Sequence, residues 1–269
     1  MPVNLLYVEG ELDEQLLTPF LAGSPVVQRR GTKYGLQGIV VREREVNKNE
    51  TIFFLRDRDF DFEPHEATPN LPTPINTPRS NVLVGWRWFR HCIECYLLEP
   101  ALAAAALERR QEELEAILRE AGRQLADYQA ARWTVGLTRW RLPPSKQLET
   151  HPADLHGEFA LPPDTSEAAS WNWISTSARE FIQPVMAVFA EEALRLTFKH
   201  YKTRLAGLDV SAILAWFSGK DLLTFLAPRI GAESPGHLRN QLRNWVLSHP
   251  GDALAYLPEW SALKQLLTQ

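Results

Sequence analysis

The sequence predicts an α/β fold, a mostly parallel sheet flanked by helices, followed by a largely α-helical C-terminal region. Three observations carry this. Short continuous apolar runs at residues 4–8, 51–55 and 81–85 alternate with stretches of helical spacing, the pattern of strands covered on both faces. Residues 101–132 hold no proline and one glycine, and their apolar positions Leu107, Leu114, Leu118, Ala121, Leu125 and Tyr128 step by three, four or seven. Beyond residue 175 the chain offers helix starts, such as Ser234-Pro235, and no further strand run.

Taken in order, Asn4-Leu5-Leu6-Tyr7-Val8 predicts a buried strand closed by a turn at Glu9-Gly10. Leu12, Leu16, Leu17 and Phe20 give a helix over residues 13–21. Residues 31–38 read as a glycine-punctuated turn, and Ile39-Val40-Val41 as a weak strand. Thr51-Ile52-Phe53-Phe54-Leu55 is the clearest strand and ends abruptly in Arg56-Asp57-Arg58-Asp59. Pro64, Pro69, Pro72, Pro74 and Pro78 then exclude helix and interior strand. A strand returns at residues 81–85, and residues 88–98 read as a helix.

This gives a domain over residues 1–100 and a helical region over residues 101–269. The latter divides into one long helix at 101–132, an irregular segment at 140–170 and a bundle from 175 onward. The long helix would pack on its own domain or on a twin subunit in a homodimer. Ser177-Ala178-Arg179-Glu180 has the capping-box pattern and predicts a helix start, with Pro184 kinking it or moving that start. Two further helices are predicted over residues 221–230 and 235–247.

The bulk numbers set limits. The chain has 269 residues, a net charge of −4, 45% hydrophobic and 23% charged residues. These are ordinary globular values. A protein binding nucleic acid through its overall charge would be basic, so any such contact must be local. Two cysteines cannot make a disulfide framework, and no long apolar run suggests a membrane span, so a reducing cytoplasm is expected.

The chemistry lies in acids at strand ends. Ligands of open α/β sheets bind at the carboxyl ends of strands. Glu9 and Asp57 each follow a buried strand. Residues two apart on a strand point the same way, so Asp57 and Asp59 converge if the strand stays extended past Leu55. Magnesium takes oxygen ligands, usually one or two carboxylates with waters and phosphates. An acid beside Gly10 or an Asp-x-Asp run is singly unremarkable. The joint pattern predicts a Mg²⁺ (or Mn²⁺) site.

Leu6-Tyr7-Val8-Glu9-Gly10-Glu11-Leu12-Asp13 resembles the first TOPRIM motif, and Phe53-Phe54-Leu55-Arg56-Asp57-Arg58-Asp59 resembles the second. Residues 88–98, with Arg90, Glu94, Tyr96, Leu97 and Leu98, and residues 216–223, with Gly219-Lys220, resemble segments of the domain-of-unknown-function 4435 group of TOPRIM-like proteins. Its relatives include OLD-type nucleases and AriB-like anti-phage effectors. The resemblance implies a TOPRIM-like domain with metal-dependent phosphodiester chemistry on DNA or RNA, with an ATPase as partner protein. It makes Glu9, Asp57 and Asp59 catalytic residues and metal ligands, and Asp13 and Glu94 ligands of a second ion. One departure is that Phe60-Asp61-Phe62 stands where many TOPRIM domains have a glycine. The alternative is a non-catalytic regulatory or interaction protein that keeps the TOPRIM shell.

Other candidates have plainer readings beside functional ones. Glu94 reads either as a site residue or as a buried partner of Arg90, four positions earlier on a helix. Cys92 and Cys95 have zinc-like spacing but no second pair, and read as half-buried reduced thiols on a helix. Lys33 and Lys220 are candidate substrate phosphate contacts or surface lysines. Gly219-Lys220 lacks the earlier glycine of a phosphate loop. Basic clusters lie at Arg29-Arg30-Lys33, at Arg139, Arg141 and Lys146 with Trp140, and at Lys199-His200-Lys202-Arg204.

Overall fold

A computed structural model describes residues 2–32, 35–64, 68–77, 81–140, 161–182 and 190–268. It is an α/β protein with one five-stranded, mostly parallel sheet. The elements run β1 (Leu5–Val8), α1 (Glu11–Phe20), β2 (Val26–Arg29), α2 (Leu36–Asn47) and β3 (Ile52–Arg56). A 3-10 turn (Asp59–Asp61), β4 (Thr73–Asn76), β5 (Leu83–Arg87), α3 (Glu94–Leu97) and α4 (Pro100–Leu107) follow. Helices then continue as α5 (Gln111–Trp140), α6 (Glu167–Ile182), α7 (Glu191–Leu205), α8 (Val210–Trp216), α9 (Gly219–Arg229), α10 (Pro235–Ser248), α11 (Pro250–Tyr256) and α12 (Pro258–Thr268).

The strand order is β2-β1-β3-β5-β4. The first four strands of that order pair in parallel, and β4 runs antiparallel beside β5. From β1 the chain crosses through α1 to β2 on one side, then returns through α2 to β3 on the other. The carboxyl ends of β1 and β3 therefore flank the point where the winding reverses. Tyr7, Ile52, Phe54 and Val84 bury one group of apolar side chains against Leu36 and Val40 of α2.

Several elements differ from the sequence reading. Residues 39–41 are helical, because Leu36 and Val40, one turn apart, supply the buried stripe of α2. β2 was not foreseen, and of its four residues only Val27 is buried. β4 forms inside the proline-rich stretch, where its edge position tolerates Pro74. Only residues 94–97 of the predicted 88–98 helix are α-helical. Upstream amides have other acceptors: Trp88 N–H donates to Arg56 O, and Phe89 N–H to Glu259 Oε1.

The long helix is interrupted. Glu108 takes a left-handed conformation, φ 53°, and caps α4. The break falls in the seven-residue gap between Leu107 and Leu114, where Arg110 and Gln111 stand in place of apolar residues. α5 extends instead to Trp140, about 45 Å at 1.5 Å per residue. α6 starts well before Ser177, with the Ser166 Oγ accepting from Ala169 N–H. The Ser234 cap on α10 forms, accepting from His237 N–H at 3.0 Å. Pro184 lies outside the described residues.

The chain packs as two compact units. One comprises Met1–Arg58, Pro64–Arg109 and Arg239–Gln269, so it joins the sheet to the last helices. Val3 N–H donates to Leu267 O within it. The other comprises Asp59–Glu63 and Arg110–Leu238. Thus the helices of residues 101–269, read as one region from the sequence, divide between the units.

In the second unit one side of α5 packs against α6, α7, α8 and α9 of its own domain. Trp133 of α5 is buried, its Nε1–H donates to Trp216 O at 2.8 Å, and its ring meets Phe60, Tyr201 and Trp216. Among the described residues no helix is long and apolar enough to cross a membrane.

Candidate functional site

The sheet register places the first acids. Val8 of β1 pairs with Leu55 of β3, so Glu9 and Asp57 each emerge just beyond the ends of two adjacent parallel strands. These are the two strands at which the winding reverses. Gly10 caps α1, and a Cβ there would lie 2.6 Å from Asp13 Oδ2. The glycine of Glu9-Gly10 therefore leaves room for the buried Asp13 carboxylate to fold back over the start of its own helix. Glu11, Asp13 and Glu14 all stand in that first turn, where the helix dipole favours negative charge.

Asp57 Oδ1 accepts from Ile93 N–H at 3.1 Å. Ile93 immediately precedes α3, whose first residue is the buried Glu94. The Cys92 thiol is pushed well up, first by burial, then by Cys95, Glu94 and Asp57. Asp57 and Glu94 thus both bear on the segment 92–94. Arg90 does not pair with Glu94. It bonds Glu99, donates to Cys95 O at 3.0 Å and lies over the Tyr96 ring. Both cysteines are buried and outside any disulfide, their sulfurs 3.7 Å apart, with only Cys95 on a helix.

Asp59 departs from expectation. β3 ends at Arg56, and Asp59 takes φ 49° as it opens a 3-10 turn. The extended continuation that would align Asp57 with Asp59 is absent. The following residues explain why. Phe60 sits beneath Arg132 and edge-on to Trp133, and Asp61 pairs with Arg139. A Cβ on Gly136 of α5 would lie 2.2 Å from Phe60 O, so α5 and this turn are in close contact. Phe60-Asp61-Phe62, the departure from the glycine pattern, is a docking sequence for α5.

Lys33 lies outside the described residues, as do Arg141 and Lys146 of one basic cluster. Lys220 is the second residue of α9, in the unit that holds α5. Its neighbour Asp221 is buried and pairs with Arg132. Within the other basic clusters, Arg30 pairs with Glu43 at 3.4 Å, and Lys202 pairs with Asp127 and Glu167.

Sequence reasoning missed Glu259. This α12 carboxylate is buried, accepts from Phe89 N–H and Tyr96 O–H, and sits among Trp88, Tyr96 and Trp260, with Trp260 against Phe20. Burial in this aromatic setting pushes its pKa up to about 7, against the opposing pull of its two donors and of Arg90 and Arg58. Pro258-Glu259 signals a helix start, but the sequence does not reveal that the acid turns inward.

A raised folded-state pKa makes stability highest below the unfolded value near 4.5. Stability then falls as pH rises through about 7. Glu259→Gln should flatten that decline, by at most about 3 kcal/mol between pH 4.5 and 7.5. Denaturation midpoints across that range, wild type against variant, check it.

The carboxylate donors Glu9, Asp13, Asp57 and Glu94 are the hard oxygen type that a small divalent cation takes. Among the described residues, no group of three or more His, Cys, Asp or Glu is arranged to hold a metal ion. An ion held by one or two of these carboxylates would need waters or substrate oxygens to complete its coordination. Comparison with protein-family models gives no match, and comparison with curated proteins gives none either.

Proposed function

We propose that this protein is a TOPRIM-type, Mg²⁺-dependent nuclease that hydrolyses phosphodiester bonds of DNA or RNA at the carboxyl ends of β1 and β3. One observation supports the reading: Glu9 and Asp57 each directly follow the carboxyl ends of β1 and β3, the adjacent parallel strands at which the winding reverses. Magnesium there would polarise a phosphate oxygen and lower the pKa of a bound water. Asp57 Oδ1 accepts from Ile93 N–H at 3.1 Å, a contact that orients the carboxylate for such a task. Asp13, in the helical turn after Glu9, and Glu94, which follows Ile93, would hold the second ion, and Asp59 is the further ligand that the resemblance implies. A role in anti-phage defence beside an ATPase belongs to the same proposal.

The test uses Asp57→Asn and Glu9→Gln, which keep shape and remove charge. Each should lower Mg²⁺-dependent cleavage of single- or double-stranded DNA or RNA by about a thousandfold, several kcal/mol of transition-state stabilisation. Melting temperatures should stay near wild type. Full cleavage by either variant ends the proposal.

A further inference from the structure

We propose that Glu259 of α12 is a positioning residue: it holds the loop of residues 88–93 in the conformation that presents Ile93 N–H to Asp57. The inference rests on the reading above only for what Asp57 then does.

The loop is fixed to the sheet at its start, where Trp88 N–H reaches Arg56 O. It is fixed to Asp57 at its end, through Ile93 N–H. Between these points its polar backbone groups reach side chains. Arg58 Nε donates to Phe89 O at 2.7 Å, and Arg90 N–H donates to Tyr96 Oη at 3.2 Å. Glu259 joins the two halves of this arrangement, one oxygen taking Phe89 N–H and the other Tyr96 O–H.

The carboxylate thus bridges the loop's first residues and the helix that ends it. Without it Phe89 N–H would lose its acceptor and Tyr96 O–H its acceptor, both beneath the buried rings of Trp88 and Trp260. An orphaned buried amide drives rearrangement of its segment. The charged and titratable groups facing Glu259 are Tyr96 and Arg90 from the loop and α3, and Arg58 beyond β3. Arg58 is the residue next to Asp57, so the same contact set reaches Asp57 from both of its sides.

The experiment measures hydrogen exchange of residues 88–97 and Mn²⁺ binding by water-proton relaxation on the full chain. Glu259→Ala should speed exchange of Ile93 about tenfold and weaken Mn²⁺ about tenfold, with exchange in β1 unchanged. Glu259→Gln, which keeps an acceptor for Phe89, should restore most of both. Leu263→Ala, a buried truncation on the same helix, should lower melting temperature without either local effect. Should Glu259→Ala fail to fold, Tyr96→Phe carries the test, with Ile93 exchange rising several-fold.

Unchanged Ile93 exchange in these variants, or an equal rise in Leu263→Ala, overturns the proposal. If the wild type binds no Mn²⁺, the metal reading of Asp57 fails, and the exchange arm alone decides the role of Glu259.

Discussion

Asp221→Ala is expected to destabilise the unit built on α5 by about 3–5 kcal/mol, read as a fall in the denaturation midpoint. Asp221 is 2% exposed and Arg132 8% exposed, and the two pair directly. Gln129 completes the network, its Nε2–H donating to Asp221 Oδ2 at 2.6 Å and its Oε1 accepting from Ser218 N–H at 3.2 Å. Ser218 precedes the first residue of α9, so the network ties that helix start to α5.

Removing Asp221 takes away the carboxylate that the buried Arg132 pairs with, and breaking a buried pair from one side costs more than the pair itself is worth. The double variant Arg132→Met, Asp221→Leu should therefore regain most of the loss. If the single variant costs under about 1 kcal/mol, the network is solvated in solution.

Gly85→Ala should cost about 3 kcal/mol or more, with the opposite sign to intrinsic strand propensity, which favours alanine over glycine. Gly85 of β5 pairs with Phe54 of β3. A Cβ at position 85 would lie 2.4 Å from Phe54 O and 2.7 Å from Phe54 Cδ1. The carbonyl is backbone inside a parallel ladder and cannot yield without breaking the pairing. Phe54→Leu in the same chain removes the ring and should not rescue Gly85→Ala, which separates backbone clash from side-chain crowding. Thermal melting of the two single variants and the double variant decides it.

The parts of the fold that were legible are those with strong local patterns. Residues 51–55 carry five apolar residues or threonine in a row, and they form β3 at the centre of the sheet. The placement of Glu9 and Asp57 at strand ends was readable because each follows such a run. What escaped depended on distant partners. β2 carries one buried residue, so its pairing with β1 leaves almost no trace in composition. The stretch 88–93 has helical spacing, yet its amides go to Arg56 O, Glu259 and Tyr96. Ile39-Val40-Val41 has strand propensity, and burial of Leu36 with Val40 overrides it.

The Asp-x-Asp pair illustrates the limit within the site. Alternation on a strand is a reliable rule only while the strand lasts. Here the chain turns instead, and Phe60 and Asp61 meet Trp133, Arg132 and Arg139. Glu259 was invisible for a similar reason, since its partners stand 163 and 170 positions away.

That separation has a consequence for biosynthesis. All five strands leave the ribosome before α12, which supplies the acceptor for Phe89 N–H and the carbonyl for Val3 N–H. A nascent chain must hold an unfinished sheet, with Trp88 and Tyr96 uncovered, while the whole α5 unit is synthesised. The intervening helices α6 to α9 pack on α5 and are all made before α12, so they are able to mature first. The sheet closes only once residues 239–269 have emerged, so the nascent protein is most exposed to aggregation or chaperone capture just before they do.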